Sequence, residues 1–130
     1  MTQKIVLYAD DDQDDRAWIE EAWQKMAGRY QIVFAETGRE VVDYLEKPPH
    51  VQPALVVLDL NMPGMDGRQT LQRIKATPQL RHLPVAIVTT SASKMDRQVC
   101  SRLGASLFLT KPDLHAGWSD VVHQLSALVN

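Results

Sequence analysis

A single cysteine, Cys100, stands in 130 residues. It excludes an internal disulfide and suits a reducing compartment. No apolar run approaches the roughly 20 residues that a membrane-spanning helix requires. The five-residue apolar stretch that follows Met-Thr-Gln-Lys ends in acids, so it is too short and wrongly flanked for a signal peptide. A soluble, cytoplasmic protein with no membrane contact is the expectation. Neither sign of charge dominates: the net charge is −2, which points to neither nucleic acid nor an anionic membrane. Repeats and low-complexity tracts are absent.

Apolar residues are plentiful, at 45%, enough for one core in a chain of one-domain length. They occur as short runs: Ile5 to Ala9, Ile32 to Ala35, Ala54 to Leu58, Val85 to Val88 and Leu107 to Leu109. Most are aliphatic throughout and do not alternate with polar residues. Strands buried on both faces, as in a parallel sheet, have that pattern. Between the runs the period becomes helical. Ile19, Ala22, Trp23 and Met26 form one stripe, and Trp118, Val121, Val122, Leu125, Leu128 and Val129 another. Val41, Val42 and Leu45 mark a short second helix, Leu71 and Ile74 a third, and Met95, Val99 and Leu103 a fourth. Gly28 and Gly104 fall where helix C-caps belong. Pro48, Pro49 and Pro53 bracket a loop, and Asn61-Met62-Pro63-Gly64 reads as a turn. The order βαβαβαβαβα implies an α/β fold: an open parallel sheet, doubly wound, with helices on both faces.

In such sheets the site lies beyond the carboxyl ends of the strands. Asp10-Asp11 end the first strand, Asp59 the third and Thr89-Thr90 the fourth, while Lys111 follows the fifth. Three carboxylates, a hydroxyl and an ammonium would therefore share one crevice. Clustered carboxylate oxygens suit Mg²⁺. A carboxylate can attack phosphorus to give an aspartyl phosphate, and such a transfer needs little beyond positioning and charge neutralisation. Burying Asp59 beside two more acids costs desolvation and repulsion that a fold does not need, so function explains the arrangement better than stability does.

These residues resemble the receiver domain of response regulators, the CheY-like family. Asp10-Asp11 is similar to its acidic pair, and the segment Leu58-Asp59-Leu60-Asn61-Met62-Pro63-Gly64-Met65-Asp66-Gly67 to its phosphoacceptor segment. Val88-Thr89 and Lys111-Pro112 complete the set, 30 and 52 residues beyond Asp59 at Thr89 and Lys111. The resemblance covers essentially the whole chain. It implies a flavodoxin-like (βα)5 fold with strand order 2-1-3-4-5, forming a single receiver over residues 1–130 with no output domain. It implies that Asp59 accepts a phosphoryl group and that Mg²⁺ is held by Asp11, Asp59 and the backbone carbonyl of Asn61, with Asp10 acting through a water. Thr89 would bind a phosphoryl oxygen, Lys111 would pair with the phosphate, and Phe108 would be the aromatic switch coupled to Thr89. Asn61 and Ser91 stand where phosphate lifetime is tuned, although Ser91 or Ser93 also reads as a helix cap. The implied partners are a sensor histidine kinase or phosphotransfer protein and a downstream protein target, without direct DNA binding. A homodimer through the face of the fourth and fifth helices, or through the long loop, is also compatible. The loop from Lys47 to Pro53 and the Asp14-Asp15-Arg16 run resemble a subgroup partnered with phytochrome-type kinases.

Departures from the commonest pattern are Phe108, which lacks a tyrosine hydroxyl, and Asp113 where an apolar residue is frequent. Other functions fit less well. A flavodoxin-like cofactor binder needs a phosphate loop rich in Gly, Ser or Thr after the first strand, where this chain has aspartates. A haloacid-dehalogenase phosphatase would carry a second aspartate at position 61, which is Asn61. A signalling switch is expected rather than an enzyme, and a receiver that binds partners without phosphorylation is the remaining alternative. Asp12 reads as the N-cap of the first helix, and Asp14 and Asp15 as first-turn acids favoured by its dipole, with no part in the chemistry. The four histidines show no metal spacing, and Cys100 reads as a packed small residue.

Overall fold

A computed structural model describes residues 4–27, 30–47 and 52–129. Gly28, Pro48, Pro49 and His50 lie outside them, as do the side chain of Met26 and most of the long loop. The chain runs β1 (Lys4–Ala9), α1 (Gln13–Ala27), β2 (Tyr30–Ala35), α2 (Gly38–Glu46), β3 (Leu55–Leu58), α3 (Gly67–Ala76), β4 (Val85–Thr89), α4 (Lys94–Leu103) and β5 (Leu107–Thr110). A 3-10 turn (His115–Gly117) then leads into α5 (Trp118–Ser126). The five strands are parallel in the order β2-β1-β3-β4-β5.

The non-alternating strands have a simple cause: both faces of the sheet are covered. Leu7, Ala9, Val56, Leu58, Val85 and Ile87 point to one side, where Val41, Leu71, Ile74 and Cys100 meet them. Val6, Tyr8, Leu55, Val57, Ala86 and Val88 point to the other, onto Ile19, Trp23, Trp118, Val121, Val122 and Leu125. Neighbours in sequence thus belong to opposite cores, as the pleat requires. Trp23 and Trp118 are fully buried and Trp18 is partly exposed. Met95, on the apolar stripe of α4, is 72% exposed. Cys100 is the buried residue of α4, with Leu103 packed against the same core and Val99 half-buried, so it is the Met95 end of the stripe that lies off the contact.

Helix ends follow local chemistry. Asp12 Oδ1 accepts from the Asp15 N–H at 3.1 Å, as an N-cap should. Asp66 and Gln69 form a capping box on α3. Ser93, not Ser91, caps α4 through the Asp96 N–H. Gly104 closes α4 at φ 106°, where L side chains are strained.

Register then delivers the polar residues to one edge. Ala9 of β1 pairs with Leu58 of β3, and Thr89 of β4 with Thr110 of β5. The next residue on β1, β3 and β5 is Asp10, Asp59 and Lys111. The ladder continues into them: the Asp10 N–H donates to Ala35 O (3.0 Å), the Asp59 N–H to Ala9 O (3.0 Å) and the Lys111 N–H to Thr89 O (2.7 Å).

Candidate phosphoacceptor and metal site

Asp10 and Asp59 are buried, at 1% and 4% exposure, and Asp11 is exposed at the rim. A ligand oxygen from each lies within 4.8 Å of the others. Each buried carboxylate folds back on the chain: Asp10 Oδ1 accepts from the Asp12 N–H at 2.9 Å, and Asp59 Oδ1 from the Asn61 N–H at 3.1 Å. That leaves Oδ2 of both facing Lys111, whose Nζ is 2.8 Å from each. Behind the acceptor, Gly67 lets α3 begin against β3. A Cβ there would fall 2.2 Å from Asp59 O.

The electrostatics follow from this burial. Desolvation pushes the Asp10 carboxyl up to about 6, while Lys111 and the Asp12 N–H pull the other way. Burial alone would lower the Lys111 pKa, but its contacts with Asp10, Asp15 and Asp59 hold it above the usual lysine range. Lys111 is therefore a fixed cation. Its contact with Asp10 is one of distance and charge, because Asp10 Oδ2 has no aligned hydrogen bond. Thr89 Oγ1 is likewise buried without a partner. A buried carboxylate oxygen beside two further acids, with one off-line ammonium as its partner, fits a hard cation. A buried hydroxyl short of an acceptor fits an incoming oxyanion.

The structure thus brings together the side chains of Asp10, Asp11, Asp59 and Lys111, and Thr89 ends the adjoining strand with its carbonyl bonded to the Lys111 N–H. Ser91 is turned aside: its Oγ donates to Asp96 Oδ2 at 2.7 Å, and Asp96 pairs with Arg68 of α3. The carbonyl of Ser91 accepts from Thr110 Oγ1 at 2.9 Å, tying the β4–α4 loop to β5. Phe108 is buried, and Arg97 both caps its carbonyl (3.2 Å) and lies over its ring, 4.9 Å from the centroid.

One expectation needs correcting. Asp15 is not a bystander of the helix dipole, because its Oδ2 accepts from Lys111 Nζ at 2.7 Å. Ninety-six positions separate the two residues, so helix-local reasoning had no means of pairing them. Comparing one buried ammonium with the run of acids on β1 and α1 was the available signal. Arg97 carried none, since an exposed-face arginine on α4 reads as solvated.

An aspartate-centred cluster at the carboxyl edge of an open parallel sheet, with a lysine and a free hydroxyl, defines a phosphoryl-accepting class of site. Residues 6–116 match the family model described as the response regulator receiver domain. The chemotaxis protein CheV2 of Helicobacter pylori is 36% identical over 87% of this chain, which spans only 36% of that protein's length. The response regulator Rcp1 of Synechocystis is 29% identical over 83% of the chain and 76% of its own length. Among solved structures, the phosphorylated cyanobacterial phytochrome response regulator RcpA superposes with a TM-score of 0.90. That match has 27% identity and covers 98% of this chain and 94% of the other. The Mn²⁺-bound form of Rcp1 gives 0.86 at 26% identity, over 95% of this chain and 92% of the other. The chain belongs to the response regulator receiver domain family of two-component signalling, whose members act as switches. Among the described residues, no helix is long and apolar enough to cross a membrane.

Proposed function

We propose that Asp59 is the phosphoacceptor of a Mg²⁺-dependent switch served by a histidine kinase or a phosphotransfer protein. The observation that carries this reading is the buried Asp59 carboxylate. It stands 2.8 Å from the Lys111 ammonium and within 4.8 Å of ligand oxygens on Asp10 and Asp11, while the hydroxyl of Thr89, which ends the neighbouring strand, is buried with no partner. An Asp59 oxygen attacks phosphorus in line. The P–N bond of the phosphohistidine breaks, and its electron pair returns to the imidazole nitrogen, which takes up a proton. Lys111 neutralises charge on the phosphoryl oxygens and Thr89 donates to one of them. Asp11, Asp59 and the Asn61 carbonyl would hold the ion, and Asp10 would reach it through a water. Mg²⁺ bound there would shield the phosphoryl charge.

Movement of Thr89 toward the phosphate opens space beside β5 for Phe108. The Arg97 contact carries that change to α4, biasing the chain between two surface states. The altered surface of α4, β5 and α5 meets a downstream protein or a second copy of the chain in the cytoplasm. The similarity to RcpA and Rcp1 favours a phytochrome-type kinase as donor. Intact mass after exposure to acetyl phosphate, or to a phosphorylated kinase, tests the reading. A Mg²⁺-dependent gain of one phosphoryl group, lost in Asp59→Asn, is expected. Labelling that persists in that variant, or Mg²⁺-independent labelling, refutes it.

A further inference from the structure

Lys111 has three N–H donors and three carboxylates around it, and its side chain is only 7% exposed. The three contacts are not equivalent. The shortest, at 2.7 Å, is an aligned hydrogen bond to Asp15 Oδ2, whereas Asp10 Oδ2 lies off line at 2.8 Å and Asp59 Oδ2 stands at 2.8 Å. The ammonium is therefore directed by α1, although the chemistry sits on β1 and β3. Asp15 is itself well fixed. It lies in the first turn of α1, its backbone N–H is held by Asp12 Oδ1, and its side chain is 15% exposed.

We propose that Asp15 is a positioning residue, a counter-anchor that draws Lys111 toward α1 and so competes with the phosphoryl group on Asp59. The inference rests on Asp59 being the phosphoacceptor. Without phosphate, Lys111 satisfies Asp15 with a directed bond and Asp10 and Asp59 by proximity. Once Asp59 carries a phosphoryl dianion, the best use of the ammonium is on the phosphoryl oxygens. Turning it there leaves the half-buried Asp15 carboxylate without its cation, facing added negative charge. That cost falls only on the phosphorylated form. Asp15 thus sets the gap between the two states, and the family's acidic pair and acceptor segment do not include it. A phosphoryl mimic should bind more tightly once the competitor is gone.

Beryllofluoride with Mg²⁺, titrated calorimetrically into the full chain, reads the gap directly. Asp15→Asn is expected to bind it about tenfold more tightly, roughly the worth of one charged hydrogen bond. Asp15→Glu, which keeps the anchor, should stay near wild type. A second charge-free variant, Asp15→Ser, should reproduce the tightening, and melting curves confirm that each variant is folded. In ¹⁵N-lysine-labelled protein the exchange-protected Lys111 ammonium signal should appear in wild type and Asp15→Glu and vanish in Asp15→Asn. Unchanged or weaker binding in both charge-free variants overturns the proposal, as does a protected ammonium signal that survives the loss of Asp15. A purely structural role for Asp15 would lower affinity rather than raise it. Wild-type protein that takes up no beryllofluoride, or an Asp59→Asn variant that takes it up equally well, would instead remove the phosphoacceptor reading and this one with it.

Discussion

Replacing Asp10 with Asn should stabilise the metal-free protein. Asp10 is 1% exposed, and its carboxyl is raised from 3.8 to about 6, chiefly by burial. The folded chain therefore holds a proton on Asp10 between about pH 4 and 6 that the unfolded chain has released. Stability is highest below that window, falls as pH rises through it, and levels off above the folded-state value. Ionising Asp10 in the folded protein at neutral pH costs at most about 3 kcal/mol, at 1.36 kcal/mol per pKa unit. That figure already nets off the attraction to Lys111, and imperfect replacement of the carboxyl's hydrogen bonds by Asn trims it, so a net gain of about 1–2 kcal/mol is expected, or about 3–6 °C in Tm for a chain of this size. The assay is thermal unfolding in EDTA from pH 4.5 to 8, with and without excess Mg²⁺. The advantage of the variant should be largest near pH 7.5 and shrink by pH 5, where wild-type Asp10 is already neutral. Mg²⁺ should reverse the order, because it binds the folded wild-type site more tightly. A metal-free variant that melts at or below wild type at pH 7.5, or an advantage independent of pH, would refute the reasoning.

Three further outcomes follow from the same geometry. Gly67→Ala places a methyl 2.2 Å from Asp59 O and 2.8 Å from Leu60 Cα. It should cost about 3 kcal/mol, since backbone rather than a pliant side chain must move, and weaken Mg²⁺ binding measured by calorimetry. Lys111→Met leaves Asp10 and Asp59 buried without their cation. Urea unfolding should show a loss of about 3 kcal/mol in EDTA, largely recovered by Mg²⁺. Asp66→Ala removes the capping box of α3 and should lower stability by about 1 kcal/mol with no change in beryllofluoride affinity.

The parallel, two-faced sheet was legible because its cause is local in sequence. Runs such as Leu55-Val56-Val57-Leu58 carry no polar residue to face water, and turn residues separate them at helix-length intervals. The site was legible for a related reason: the polar residue that ends each apolar run must sit at the sheet edge, and in a parallel sheet those ends lie together. That placed Asp10, Asp59, Thr89 and Lys111 in one crevice, and the Asp12 and Gly104 caps needed nothing more than their neighbours. The exposure of Met95 was not legible because helical period alone does not say how much of a stripe the sheet covers, and α4 meets the core through Cys100 and Leu103. Tertiary structure alone decided what Lys111 holds. Whether a first-turn acid on α1 reaches a lysine after β5 depends on how the helix packs beside the strand ends. The same holds for Arg97 over Phe108 and for Ser91 turned to Asp96. Burial follows from the hydrophobic pattern carried by each segment, whereas the direction of a hydrogen bond between distant segments is set only once those segments have docked.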